Sequence, residues 1–167
     1  MASTDRAHPG FRVGIGYDSH RFGPGDGVLL AGVRIPAAHA LVGHSDADAV
    51  AHAVTDAILG AAALGDIGAL FPDTDAANKN RNSIEMLGIA ARKAADAGWL
   101  VANVDVTVVC EAPNIARHRD PMRAALSVAL GVSRDAISVK GKTNERMGWV
   151  GRGEGIAVIA AVMVTRG

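Results

Sequence analysis

The sequence has 167 residues, enough for one domain to bury a sizeable core without disulfides or structural metals. Its 17 lysines and arginines balance its 17 aspartates and glutamates, which excludes the broad positive field that nucleic-acid binders use against phosphates. We therefore expect no nucleic-acid partner.

The first ten residues are polar and lack the apolar core of a secretory signal. We expect a disordered N-terminal tail over 1–10 and a single domain over 11–167. The single Cys110 cannot form an internal disulfide and lies in an apolar run, so a buried, reduced thiol is expected. These features predict a cytoplasmic protein.

Two strands and a helix are predicted in the first part of the domain. Alternating apolar residues over 12–20 predict one strand, and the apolar run 28–35 predicts a second, so that the two form a hairpin. Residues 45–48 offer N-cap side chains for a helix whose apolar positions follow an i, i+4, i+8 spacing from Val50. This helix is expected to end between residues 60 and 65.

The rest of the chain predicts an α+β fold. The predicted elements are a loop over 66–75, a helix over 83–97, a strand over 101–110, a helix over 117–130, a strand over 137–140, a glycine-rich turn over 148–155 and a strand over 156–164. The last strand is the longest apolar stretch, yet it is about half as long as a membrane-spanning helix, so no membrane partner is expected. We expect a two-layer sandwich of a mixed β-sheet with helices on one face.

A candidate metal site lies at the end of the first predicted strand. Asp18 and His20 are two residues apart, so their side chains leave the same face and can converge on one ion. Carboxylate and imidazole suit Zn²⁺, and a catalytic site needs a third protein ligand and one open position. His44 and His52 are the candidates, and at about 100° per residue His52 faces away from the apolar side of its helix.

An alternative interpretation is that Asp-x-His is a chance pattern and that Asp48, His52 and Asp56 form a solvated helix face. His44 and Ser45 favour a functional site, because they lie near a helix N-terminus, where an anion would bind.

Several motifs follow one another along the chain. They are Asp18-Ser-His, Gly43-His-Ser-Asp-Ala-Asp, His52-Ala-Val-Thr-Asp-Ala, Asp66-Ile-Gly with Phe71-Pro-Asp-Thr-Asp, Glu111-Ala-Pro-Asn, Lys140-Gly-Lys-Thr-Asn-Glu and Gly151-Arg-Gly-Glu-Gly-Ile-Ala. In these motifs, and over essentially everything after the first ten residues, the sequence closely resembles the 2-C-methyl-D-erythritol 2,4-cyclodiphosphate synthase family. The resemblance implies a lyase of non-mevalonate isoprenoid biosynthesis that cyclises a cytidine diphosphate-linked methylerythritol phosphate and releases CMP.

The resemblance also implies the site residues. Asp18, His20 and His52 would bind Zn²⁺, Glu145 would bind Mg²⁺ or Mn²⁺, and His44 and Thr143 would act as catalytic donors. The implied substrate-binding residues are Asp18, Ser19, His20, His44, Ser45, Asp66, Ile67, Gly68, Phe71, Pro72, Asp73, Thr74, Asp75, Cys110, Glu111, Ala112, Pro113, Asn114, Ile115, Ala116, Lys142, Thr143, Asn144, Glu145, Trp149 and Arg152.

The resemblance further implies a homotrimer with active sites between adjacent subunits. Asn144 replaces a threonine common in the family and Trp149 a frequent phenylalanine, and neither change removes a metal ligand. Two alternatives stand beside this interpretation: a zinc-dependent phosphohydrolase that uses metal-bound water, and a non-catalytic trimeric nucleotide-binding protein.

Overall fold

The structure is a computed structural model that describes residues 10–167. Apart from Gly10, the predicted tail lies outside the described residues. The strands are β1 (Phe11–Gly23), β2 (Gly27–Leu30), β3 (Val33–Pro36), β4 (Ala40–Leu41), β5 (Trp99–Val109), β6 (Ile137–Lys142) and β7 (Gly155–Arg166). The helices are α1 (Ala49–Ala62), α2 (Ile67–Leu70), α3 (Ser83–Asp96), α4 (Arg119–Leu130) and α5 (Gly148–Gly151).

Five strands form a mixed sheet in the order β4-β1-β7-β5-β6. β5 and β6 are parallel, and the other neighbouring pairs are antiparallel. α1 packs across β1 and β7, while α3 contacts β5 and α4 contacts β6. The predicted α+β fold with a mixed sheet is confirmed. Within residues 10–167, no helix combines the length and the apolar character needed to cross a membrane.

The prediction of a single second strand over 28–35 is wrong. This stretch forms a hairpin of its own, β2–β3, whereas β1 pairs with β7 and β4. Ala31 and Gly32 make the two-residue turn, with φ of 51° and 72°. This turn could not be recognised from the sequence, because Ala31 is apolar. Ala31 nevertheless adopts a left-handed backbone conformation that normally favours glycine or asparagine.

Two stretches predicted to be irregular each contain one helical turn. α2 lies within the predicted loop over 66–75, where Asp66 Oδ1 accepts a hydrogen bond from the Ala69 N–H at 2.8 Å. α5 occupies the first half of the glycine-rich stretch 148–155. A helix of four residues is too short to produce a recognisable apolar period.

α1 approaches β1 closely because two glycines face it. A Cβ at Gly14 would lie 1.9 Å from Ala57 O, and one at Gly16 would lie 1.8 Å from Ala53 O. Any side chain there would push the helix off the sheet. Consequently, the buried residues of α1 cover more of the helix circumference than the apolar stripe predicted from the sequence.

A buried carboxylate fixes the start of α1. Asp48 caps the helix by accepting from the N–H groups of Val50 and Ala51 at 3.1 and 3.0 Å. It also accepts from Ala31 and Gly32 at 2.8 and 2.6 Å, which ties the β2–β3 hairpin to the helix. Asp48 is fully buried and accepts a hydrogen bond from each of these four N–H groups. The alternative that places Asp48 on a solvated helix face is therefore wrong.

The sheet face opposite the helices is apolar and exposed. It carries Phe11, Val13, Ile15 and Tyr17 of β1 and Ile159 of β7, which pairs with Tyr17. We call these five residues the open face. Its central residue, Ile15, is 73% exposed. Contiguous apolar surface of this kind marks an interaction site.

Candidate active site

Asp18, His20 and His52 converge where the end of β1 meets α1. Asp18 Oδ2 lies 3.0 Å from both His20 Nε2 and His52 Nδ1, and these two nitrogens are 3.3 Å apart. Two imidazole nitrogens and a carboxylate oxygen at such distances need a cation or a proton between them. The three side chains can therefore hold a metal ion, and their mixed oxygen and nitrogen donor set suits Zn²⁺.

The backbone orients the His20 ring. Nδ1 lies 2.9 Å from the carbonyl oxygen of Val42, which can only accept, so Nδ1 carries the proton and Nε2 faces the other two residues. Burial alone would raise the pKa of Asp18, but hydrogen bonds from His20 and His52 and their charges outweigh it and lower the pKa of this carboxyl. Burial would lower the pKa of His20, but the Asp18 carboxylate outweighs it and raises that pKa. Asp18 is therefore an anion at neutral pH, ready to bind a cation.

Ser45 and Ser83 contact the other side of the His52 ring. Each hydroxyl oxygen lies 2.9 Å from His52 Nε2. Ser83 also donates a hydrogen bond to Asp46. Neither Ser83 nor Asp46 was predicted to be a site residue, because the two residues are 37 positions apart and only the tertiary fold joins them.

A cavity of about 160 Å³ opens beside the triad. Eight of the lining residues were predicted site residues: His20, His44, Ser45, His52, Ile67, Gly68, Phe71 and Asp73. The other two, Asn78 and Met86, were not indicated by the sequence. Asn78 is buried and donates from Nδ2 to the carbonyl oxygen of Pro72 at 2.8 Å. It thereby shapes the loop that forms one wall of the cavity.

A second cavity, of about 230 Å³, lies between the ends of β5 and β6. Its lining contains Cys110, Glu111, Pro113, Asn114, Ile115, Ala116, Lys142 and Thr143, all predicted, and Gly141, which was not. The structure thus brings together two predicted segments that are about thirty residues apart in sequence.

Glu111 supports the turn that follows β6. Its Oε1 accepts from the backbone N–H groups of Asn144 and Arg146 at 3.0 and 3.1 Å. Glu145 and Arg146 both have positive φ, 49° and 61°, and Thr143 donates its hydroxyl proton to Glu145 Oε1 at 2.7 Å. The carboxylate of Glu145 is thus held at the rim of the second cavity.

The sheet register places both cavities at one end of the sheet. His20 pairs with Ile156, Ala157 pairs with Val109, and Val109 pairs with Lys142. β1 and β6 are separated by three strand spacings, which at about 4.8 Å each amounts to roughly 14 Å. Within one chain, the triad and the second cavity therefore lie far from each other.

Several predicted site residues lie outside the linings of these two cavities in the described protomer. Ser19 follows Asp18 and donates its backbone N–H to Asp18 Oδ1 at 2.9 Å. Trp149 lies on α5, and Arg152 pairs with Glu154 at 2.6 Å on an exposed turn. The others are Asp18, Asp66, Pro72, Thr74, Asp75, Ala112, Asn144 and Glu145.

Cys110 is buried, in agreement with the sequence prediction. Burial raises the pKa of its thiol to about 11 from 9.0, and the charge of Glu111 adds to the rise.

The Cys110 thiol is expected to react slowly in the folded protein. Because the thiolate fraction at pH 8 falls tenfold for each unit by which the pKa rises, we expect iodoacetamide to react about 100-fold more slowly than with a free thiol. Mass spectrometry of native and urea-unfolded protein measures both rates. Rapid labelling of the native protein would contradict a buried thiol.

The fold and the site define a class of protein: an α+β domain with three side chains that could hold a metal ion and a cavity beside them. Residues 11–165 match the YgbB family, and the chain belongs to that family.

Two of the following three relatives are similar along nearly their full length, and the third is a longer, bifunctional chain. A protein from Gemmatimonas aurantiaca named 2-C-methyl-D-erythritol 2,4-cyclodiphosphate synthase is 56% identical over 92% of each chain. The IspF–CDP complex of Plasmodium falciparum has a TM-score of 0.83 and 32% identity over 96% of this chain and 99% of that chain. The bifunctional IspDF from Campylobacter jejuni has a TM-score of 0.90 and 41% identity over 94% of this chain, which spans only 42% of that chain.

Proposed function

We propose that this chain converts 4-diphosphocytidyl-2-C-methyl-D-erythritol 2-phosphate into 2-C-methyl-D-erythritol 2,4-cyclodiphosphate and CMP, in non-mevalonate isoprenoid precursor biosynthesis. The observation that carries the proposal is the convergence of Asp18, His20 and His52 beside a cavity in a YgbB family chain. The names of the relatives and the bound CDP of structural relatives support the substrate class. The lone buried thiol fits a cytoplasmic location.

Two metal sites are inferred, one from the donor chemistry of the triad and one from the family resemblance at Glu145. Asp18, His20 and His52 would hold Zn²⁺ with one position left for substrate. Glu145 would hold Mg²⁺ or Mn²⁺, which prefer oxygen ligands shared with phosphates. When bound, these ions supply Lewis-acid withdrawal of charge from the phosphate oxygens.

The protein's own residues would fold the substrate back on itself. An oxygen of the 2-phosphate bonds to the β-phosphorus while the bond from that phosphorus to the bridging oxygen breaks, and CMP leaves with the bridging oxygen. The attacking phosphate is ionised near neutral pH, so no general base or covalent enzyme intermediate is needed. His44 would donate to the phosphates from the cavity beside the triad, and Thr143 would do so from the second cavity once its hydroxyl proton turns from Glu145 to a phosphate oxygen.

The two cavities would divide the substrate between them. The cavity beside the triad would hold the methylerythritol phosphate, with Ser45 and the loop 66–75 around it. The second cavity would hold cytidine, whose base would be read by backbone groups of residues 110–116. Ser19, Lys142, Asn144, Trp149 and Arg152 remain proposed contacts of the assembled site.

The assembled site requires more than one copy of the chain. The two phosphates of a diphosphate are adjacent, yet the triad and the Glu145 turn lie near strands about 14 Å apart in one protomer. The residues at the two positions could reach one diphosphate if one subunit supplied Asp18, His20 and His52 and its neighbour supplied Glu145. We therefore propose a homotrimer in which the open face is covered by neighbouring subunits.

Glu145→Gln is expected to leave zinc content unchanged and to raise the Mg²⁺ concentration needed for half-maximal activity about tenfold, because one charged oxygen ligand is lost. Metal titration of initial rates, with zinc measured by atomic absorption, tests this. Glu85→Gln, which changes a carboxylate in the first turn of α3, is the control and should titrate as the unmodified protein does. An unchanged Mg²⁺ titration of the Glu145 variant would count against its role.

Product identity tests the proposed function. Cyclic diphosphate with CMP supports it, whereas a linear phosphate product would identify a zinc phosphohydrolase. Binding of CDP without turnover would identify a non-catalytic nucleotide-binding protein.

A further inference from the structure

We propose that Asp46 and Ser83 are positioning residues that fix the proton of the His52 ring on Nε2, so that Nδ1 is free to bind the metal. The inference deepens the proposed function and rests on its assignment of a metal to the triad. It concerns three side chains from three places in the chain: the turn before α1, α1 itself and the first residue of α3.

The direction of the first hydrogen bond follows from chemistry alone. An ionised carboxylate can only accept, so the bond between Asp46 Oδ1 and Ser83 Oγ uses the single hydroxyl proton of Ser83. Asp46 Oδ2 also accepts from the Ser83 backbone N–H at 2.9 Å, and its Oδ1 accepts from the Asp48 N–H at 3.3 Å. The Asp46 carboxylate is thus held in place from both ends.

The second hydrogen bond is then determined. With its proton committed to Asp46, Ser83 Oγ presents only lone pairs to His52 Nε2, 2.9 Å away. A stable contact requires that Nε2 carry the ring proton and donate it, so the neutral ring keeps its lone pair on Nδ1. Nδ1 is the atom that faces Asp18 and His20. The chain of bonds from Asp46 to Ser83 to His52 therefore selects the tautomer that can ligate a metal.

Ser45 cannot make this selection by itself. Its Oγ also lies 2.9 Å from His52 Nε2, but the hydrogen bonds found for it are to His52 and to Ser83 Oγ, at 3.4 Å, and none leads to a carboxylate. Its hydroxyl can either donate to Nε2 or accept from it. Ser83, in contrast, is fully buried and anchored. Hydrogen-bond acceptors behind a ligating histidine typically change metal affinity by about 10–100-fold when they are removed.

Two variants test the inference through zinc affinity rather than activity. Asp46→Asn keeps the size of the side chain; if its carbonyl oxygen accepts from the Ser83 N–H, its NH₂ group donates to Ser83 Oγ. The Ser83 hydroxyl can then donate to Nε2, which favours a proton on Nδ1. Ser83→Ala removes the anchored acceptor and leaves only Ser45, which can donate as well as accept. Zinc dissociation constants are measured on the full chain by competition with a chromophoric chelator.

The control is Asn82→Ala, which removes the side-chain cap of α3 one residue away without touching His52. We expect Asp46→Asn and Ser83→Ala to weaken zinc binding by about 10–100-fold, whereas Asn82→Ala binds zinc as the unmodified protein does. Unchanged affinity in the first two variants, or equal weakening in all three, would overturn the role of Asp46 and Ser83. If the unmodified protein binds no zinc, or if His52→Ala binds it unchanged, the metal assignment of the proposed function fails as well.

Discussion

His52→Ala is expected to lower cyclisation by at least about 10³-fold, because it removes a proposed metal ligand, and a metal held there would contribute several kcal/mol to the transition state as a Lewis acid. The protein should stay folded, since the His52 ring contacts Asp18, Ser45 and Ser83 rather than the apolar core. Zinc stoichiometry by atomic absorption and initial rates of product formation measure the two losses.

His39→Ala is the matched control, because the His39 ring packs beside Phe22 and is not one of the three converging side chains. This variant should keep zinc and turnover. Circular dichroism and size-exclusion chromatography on both variants separate a lost ligand from a lost fold. If His52→Ala retains stoichiometric zinc and cyclises normally, the metal site lies elsewhere.

Ile15→Glu is expected to convert the proposed trimer to monomers and to abolish activity with it. Ile15 is 73% exposed in the protomer and lies at the centre of the open face. Burying an unpaired carboxylate in an apolar contact costs several kcal/mol, which is a large part of the free energy of association. Multi-angle light scattering over a range of protein concentrations gives the mass in solution.

Val128→Glu is the control for the added charge. Val128 is 84% exposed and lies on α4, on the helix side of the sheet. This variant should remain trimeric. A trimeric Ile15→Glu protein, or an unmodified protein that is monomeric, would contradict the assignment of the open face to the subunit interface.

The helices and strands that are long enough to show a repeated apolar spacing were predicted from the local sequence. α1, α3 and the last strand appear close to their predicted limits. Asp18 and His20 were paired correctly on one face because the strand period of two fixes their direction. The choice between His44 and His52 as third ligand needed the family resemblance, and the structure brings His52, not His44, within 3.3 Å of the other two.

Features that depend on tertiary contacts left no local signal. The Ala31-Gly32 turn is apolar in sequence, although its N–H groups are paired by Asp48 sixteen or seventeen residues later. Asp46 contacts Ser83, and Glu111 contacts Asn144, although the partners of each pair are more than thirty residues apart in sequence. The alternation of Val13, Ile15 and Tyr17 shows that one face of β1 is apolar, but this face is exposed. The helix α1 packs instead on the opposite face, at Gly14 and Gly16.

The most direct test of the proposed reaction is phosphorus NMR of the purified protein with 4-diphosphocytidyl-2-C-methyl-D-erythritol 2-phosphate and Mg²⁺. The spectrum is recorded before zinc is stripped, after stripping, and after zinc is restored. We predict cyclic diphosphate and CMP in the first sample, neither in the second, and both again in the third. A linear product, or no product in the zinc-replete protein, would contradict the proposed function.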